Sequence, residues 1–155
     1  MKAHPKSLAA HAVITVAAKA AAAIRTHGAA AYPLECCGAL IGSAGPTVPR
    51  AITEAWPIEN VAAVARERRF TIGPDDYRQA EARAEASGAA LLGFYHSHPD
   101  APARPSGEDL DRAWPNLDYI ILSVQRGRPA ELSCWRLRDD RSGFDREDIT
   151  WPIAF

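Results

Sequence analysis

Two histidines one residue apart, His96 and His98, close an apolar run in "GFYHSHPDAPARPSGEDLDRAW" (93–114), and a serine and several acids follow within a dozen positions. On an extended strand, residues i and i+2 point to the same face, so both imidazoles project side by side, about 7 Å apart at the backbone and within reach of one ion. A catalytic zinc takes three protein ligands and keeps its fourth position open. The pair therefore leaves one ligand to find among Asp100, Glu108, Asp109 and Asp111. Asp100 is too close on the turn after Pro99 to fold back. Ser106 reads as a helix N-cap, because Ser-x-x-Asp is a capping box with a shortened acid. That places Asp109 on the first turn of a short helix, facing back toward the strand end. Asp109 is the preferred third ligand, with Glu108 as its local competitor. A His-x-His pair alone is a weak signal, since a buried histidine is more often structural than ligating, and a purely capping Ser106 is compatible with either reading. Ser97 points to the opposite face, which suits a structural role. Leu92 and Phe94 share the histidines' face and are expected to pack beneath them.

These residues need a rigid base. "AALLGFYHSH" (89–98) reads as a central strand and "SGEDLDRAW" (106–114) as the short helix. Upstream, alanine propensity predicts a helix over 16–31, stopped by Pro33. "ECCGALIG" (35–42) reads as a buried strand, "RAITEAWPIEN" (50–60) as a second strand bent at Pro57, and "RRFTIG" (68–73) as a third. "PDDYRQAEARAEASG" (74–88) is the clearest helix, with Pro74 at its first position, Asp75 and Asp76 at its positive end and Gly88 at its stop. "LDYIILSVQ" (117–125) and "ELSCWRLR" (131–138) read as strands joined by a Gly-Arg-Pro turn, with a tail strand over 148–155. The sum is a mixed α+β fold of the α/β type: a central mixed sheet flanked by two or three helices, with 1–155 expected to form one domain.

Composition narrows the function classes. The chain has 155 residues, 47% hydrophobic and 24% charged, with 18 basic and 19 acidic residues and a net charge of -1. That balance offers no basic face for nucleic acid. Residues 8–24 are alanine-rich, but His11 and Lys19 interrupt the run, so neither a signal peptide nor a membrane span is expected. Three cysteines, two of them adjacent, do not make a disulfide framework; a reducing, cytoplasmic setting is expected.

"HSHPDAPARPSGED" resembles the signature of the JAMM/MPN metalloprotease family: His-Ser/Thr-His, seven residues, Ser, two residues, Asp. His96, Ser97, His98, Ser106 and Asp109 match it without a gap. "YPLECCGALIG" resembles the family's first strand after a long helix, with Glu35 in the catalytic slot. Asn60, Phe70 and the helix start "GPDDY" also fall where bacterial members have similar residues. The resemblance runs from about Ile14 to Arg138 and is nearest to small stand-alone bacterial and archaeal members. It implies an MPN, cytidine-deaminase-like fold and one Zn²⁺ held by His96, His98 and Asp109. Glu35 would then be the general acid/base and Ser106 the hydroxyl that donates to the oxyanion. It also implies a substrate: a ubiquitin-like sulfur-carrier protein of the ThiS/MoaD or CysO type, cut after its C-terminal Gly-Gly. A homodimer is admitted.

Three rivals stand beside this reading. A thiol enzyme using Cys36 or Cys37 would need a basic neighbour, and the sequence offers none beside Glu35. A non-catalytic MPN scaffold would be expected to have lost ligands, yet every position is occupied. A zinc peptidase acting on small peptide or peptidoglycan-type amides keeps the chemistry and changes the substrate. The segment 58–72 is the expected substrate groove, because a strand there could pair with an extended Gly-Gly tail.

Overall fold

The computed structural model describes residues 13–45 and 49–151. Its elements run β1 (Ile14–Val16), α1 (Ala18–Ala31), β2 (Cys37–Ser43), β3 (Ala51–Ile58), α2 (Pro74–Ala86), β4 (Ala90–Pro99), α3 (Gly107–Arg112), β5 (Asp118–Gln125), β6 (Arg128–Leu137), β7 (Phe144–Glu147) and β8 (Ile149–Thr150). The strands form one mixed sheet in the order β7-β6-β5-β4-β2-β3-β1-β8. Its two end strands are separated by a single residue in sequence, so the segment 144–150 joins β6 to β1 and the sheet curls round on itself. Among the described residues, no helix is long and apolar enough to cross a membrane.

The sheet is apolar on both faces. On one, Ile14, Val16, Leu40, Ile52, Tyr95, Ile120 and Leu122 pack with Ala20, Ala21 and Ile24 of α1. On the other, Ala39, Phe94, Leu117, Tyr119 and Leu137 pack with Ala80 and Tyr77 of α2 and with Leu110 of α3. The strand β4 pairs antiparallel with β2 and parallel with β5, and α3 lies in the crossover between β4 and β5. The open end of a parallel pair, where the strands finish and the crossover leaves, is a natural place for a site.

Four expectations are corrected. Residues 68–73 form no strand. The Asn60 amide takes their backbone bonds instead, donating to the Arg69 carbonyl at 2.8 Å and accepting from the Thr71 N–H at 3.2 Å. Leu92 does not share the histidines' face. The register of β4 against β2 shifts between Leu40 and Ile41, opposing Gly93 to the former and Leu91 to the latter. A bulge of this kind reverses the alternation, so Leu92 packs with the α1 face while Leu91 and Phe94 pack on the other. The turn before β6 is Arg126-Gly127, with φ of 51° and 81°, the two-residue mirror-image type that suits strand twist; β6 accordingly begins at Arg128. The tail splits into β7 and β8, and the remainder of the expected tail strand, 152–155, lies outside the described residues, as do residues 8–12 of the alanine-rich run. Strand β1 was not foreseen: three residues are too few to show alternation. Pro57 sits within β3 opposite Gly38, beyond the two residues of β3 that pair with β1.

Candidate metal centre

The bulge and the strand end together fix the histidines. With Phe94 and His96 on the α2/α3 face, His98 follows at the last turn of the pleat, and His96 and His98 are both buried. The α3 helix returns over them. Ser106 caps it: its hydroxyl oxygen accepts the Asp109 N–H at 3.1 Å, and the Asp109 carboxylate accepts the Ser106 N–H at 2.9 Å. This reciprocal pair holds the Asp109 side chain turned back toward β4.

Three atoms converge as a result. His96 Nε2 lies 3.1 Å from His98 Nε2, and Asp109 Oδ2 lies 3.2 Å from each. A tetrahedral zinc with bonds of about 2.0–2.1 Å would have ligand–ligand edges of about 3.3–3.4 Å, so the triangle has the size such an ion requires. The His98 Nδ1–H donates to the Pro102 carbonyl at 2.8 Å, which leaves the Nε2 lone pair facing the triangle. The ring of His96 stacks on Phe70 with centroids 4.4 Å apart, and its Nδ1 has no partner among the described residues. Lone pairs crowded this closely repel unless a proton or a cation sits among them. The electrostatics agree. Burial works against the Asp109 charge, but the His96 charge and hydrogen bonds from both rings hold its carboxyl well below the usual range. His98 is raised despite burial, through Asp109 and the Pro102 carbonyl.

Glu35 lies two residues before β2. Its N–H donates to the Arg66 carbonyl at 2.8 Å, and its own carbonyl accepts from the Asn60 amide at 3.0 Å. Asn60 thus ties the Glu35 backbone to the 69–71 segment that carries Phe70, a role no spacing rule in the sequence reveals. The Glu35 carboxyl is buried, and its Oε1 has no partner among the described residues. Burial pushes it up to about 8, with the His98 charge offsetting part of the effect and Asp109 and Glu108 adding to it. One atom each from Glu35, His96 and His98 lie within 4.8 Å of one another, a set fit to hold a metal. Asp109 Oδ2 lies 3.2 Å from each ring as well, so two carboxylates, Glu35 and Asp109, stand within reach of the histidine pair.

The other expectations resolve simply. Glu108 turns away to pair with Arg69 at 2.9 Å. Asp100 accepts from the Tyr32 hydroxyl and the Arg126 N–H. Ser97 is buried on the α1 face and accepts the Cys36 N–H at 2.9 Å. All three cysteines are free and buried. Burial pushes Cys36 up to about 11 and raises Cys37 and Cys134 strongly as well, which removes the thiolate a cysteine nucleophile needs. A second acidic cluster, Asp118, Cys134 and Glu147, already holds its counter-ions. Arg50 makes an ion pair with Asp118 at 2.7 Å, off the N–H axis, and bonds Glu147 at 2.5 Å, while Arg136 bonds Asp118 at 3.1 Å.

The end of a parallel strand pair thus carries two histidines, closed by a helix carrying an aspartate, an arrangement that could hold a metal ion. Residues 17–138 match the model of the prokaryotic homologs of the JAB domain, and the chain belongs to that family. It is 38% identical over 115 residues to a desampylase of Haloferax volcanii, covering 71% of this chain and 80% of that protein. It is also 35% identical over 136 residues to tail tip assembly protein K of Escherichia phage N15, covering 74% of this chain but only 50% of the phage protein. Among solved structures, protein DSY2949 of Desulfitobacterium hafniense superposes with a TM-score of 0.77 at 30% identity, covering 92% of this chain and 95% of that one. The JAB1/MPN domain protein AF2198 of Archaeoglobus fulgidus shares the fold at 18% identity, with a TM-score of 0.54 and coverage of 89% and 98%.

Proposed function

We propose that the protein is a JAMM-type metallo-isopeptidase that hydrolyses an amide following the C-terminal Gly-Gly of a ubiquitin-like protein of the sulfur-carrier kind. The observation that carries this reading is the triangle of His96 Nε2, His98 Nε2 and Asp109 Oδ2, with edges of 3.1–3.2 Å, beside the buried carboxyl of Glu35. The similarity to desampylase supports the class of substrate. Two nitrogens and one oxygen suit zinc, which we take as the resident ion. A divalent cation held there supplies Lewis acidity, polarising the substrate carbonyl and acidifying water.

The chain's own residues do the rest. Glu35 is raised to about 8 before any cation is added, and a neighbouring positive charge would lower it and favour the carboxylate. Its carboxylate takes the proton of the attacking water and passes it to the departing amine nitrogen. Ser106 uses an oxygen lone pair to cap α3, which leaves its O–H to donate to the oxyanion. Capping and catalysis therefore use different parts of one hydroxyl. Asp109 and the His98–Pro102 bond hold the ligand set in place.

The test is Glu35→Gln, followed by metal content and cleavage of a sulfur-carrier protein bearing a C-terminal extension. Zinc retained with turnover lost is the expected result; turnover retained would remove Glu35 from the reaction. A second reading keeps the same chemistry and changes the substrate, to small peptide or peptidoglycan-type amides. Cleavage of such amides with no action on Gly-Gly carriers would select it. A scaffold without catalysis would bind the carrier and cut neither.

A further inference from the structure

The candidate cation site separates two clefts. On one side, Glu35, His98 and Ser106 line a cleft with Arg68, Arg104 and Pro102. On the other, a cavity of about 390 Å³ opens beside His96 and Asp109 and runs under α3. Its walls are Phe70, Ile72, Trp114, Tyr119, Ile121 and Phe144. Ligand cavities run from about 300 to 1,000 Å³, so this one is sized for a single large group rather than a length of chain.

Several polar atoms of the wall are already committed. The Tyr119 hydroxyl accepts the Trp114 N–H at 2.6 Å and donates to the Trp114 carbonyl at 3.2 Å. Arg112 at the rim bonds the Phe70 carbonyl and the Thr71 hydroxyl. A polar guest would lose its water and find few free partners in return. An aromatic guest meets ring faces and edges on several sides, which adds to the gain from area alone.

The proton path gives the cavity its place along a substrate. Glu35 must reach the departing nitrogen, so the leaving group lies in the cleft that Glu35 lines. The acyl part then lies on the far side, over His96 and Phe70. We propose that the apolar cavity is a specificity subsite for an aromatic side chain on the acyl side of the scissile bond, in the short segment upstream of the substrate's terminal Gly-Gly. This rests on the hydrolase reading only for its direction; that the cavity binds an aromatic group stands without it.

Two measurements test it. The first is binding to the full chain, followed by the indole N–H resonance of Trp114 in ¹⁵N-labelled protein, with N-acetyl-phenylalaninamide and N-acetyl-alaninamide as probes. A saturable shift with the first and none with the second is expected, and Ile72→Trp, which fills the half-exposed mouth, should abolish it. The second is cleavage of peptides ending in Gly-Gly-X in which phenylalanine replaces alanine at each upstream position in turn. One position should raise kcat/KM roughly 10- to 100-fold, and Ile72→Trp should erase that preference while still cutting the alanine peptide. Equal responses of Trp114 to both amides, or no position favouring phenylalanine among peptides that are cut, overturn the subsite. A saturable, phenylalanine-selective shift with no peptide cut leaves the subsite standing and counts against the hydrolase reading instead.

Discussion

Glu35→Gln should change how the stability of the metal-free protein responds to pH. The carboxyl is 5% exposed. Burial, partly offset by His98 and reinforced by Asp109 and Glu108, holds it at about 8 against an ordinary 4.5. Below pH 4.5 it is protonated in the folded and unfolded chains alike and adds no pH dependence. As pH rises from 4.5 to 8 the unfolded chain releases this proton while the folded chain keeps it. The folded state then binds more protons, so stability falls with rising pH, and the loss is complete once the folded group ionises above about 8. Each tenfold difference in proton affinity is worth ~1.4 kcal/mol, so the full loss is on the order of 4–5 kcal/mol. Domains carry only about 5–15 kcal/mol in total, so the metal-free protein should be markedly weaker at pH 8 than at pH 5. Glutamine has the same shape and does not titrate. Its own burial costs about 1–3 kcal/mol at every pH, and the pH slope is what separates the two. Urea unfolding with chelator present, at several pH values from 5 to 9, measures it. The wild-type curve should fall relative to the variant by several kcal/mol across this range, and added zinc should flatten the difference by favouring the carboxylate. Parallel curves for the two proteins would refute the account of a carboxyl held neutral by burial.

Asp109→Ala should lose bound metal, measured by elemental analysis after zinc loading, whereas Glu108→Ala should retain it, because Glu108 is paired with Arg69; the reverse pattern would exchange their roles. Ser106→Ala should cut turnover by about a hundred- to a thousand-fold and also cost about 1 kcal/mol from the lost cap, so rate and urea midpoint are read together, and a rate loss no larger than the cap accounts for would leave Ser106 as a cap only. Chelator should abolish activity while iodoacetamide leaves it intact, since burial keeps Cys36 and Cys37 as thiols; inactivation by alkylation alone would favour thiol chemistry. Gly38→Ala should destabilise the fold by several kcal/mol, because a Cβ there would fall 2.2 Å from the Tyr95 ring; a thermal midpoint unchanged from wild type would show that the ring can move.

By itself, the sequence determined the parts with strong local rules. Helices α1 and α2 follow from alanine runs, Pro74, Asp75, Asp76 and the stop near Gly88. The alternation of β4 placed His96 and His98 on one side, and Ser106-x-x-Asp109 announced a capping box that α3 contains. Spacing also marked Asp109 as the acid to turn back toward them. What spacing could not supply was anything carried by partners distant in the chain. Segment 68–73 looks like a strand, but its backbone bonds go to the Asn60 amide and to Arg112 instead of a ladder. Leu92 obeys alternation until β2 imposes a bulge. Strand β1 is too short to carry a pattern and exists because β3 and β8 pair with it. The exclusion of Glu108 required Arg69, the raised carboxyl of Glu35 required its burial beside His98, and the aromatic cavity required α3 to lie over residues as far apart in the chain as Phe70 and Phe144. Local patterns act through neighbours on one helix turn or one pleat, whereas register, desolvation and cavity shape are properties of surfaces that meet only after the chain has folded.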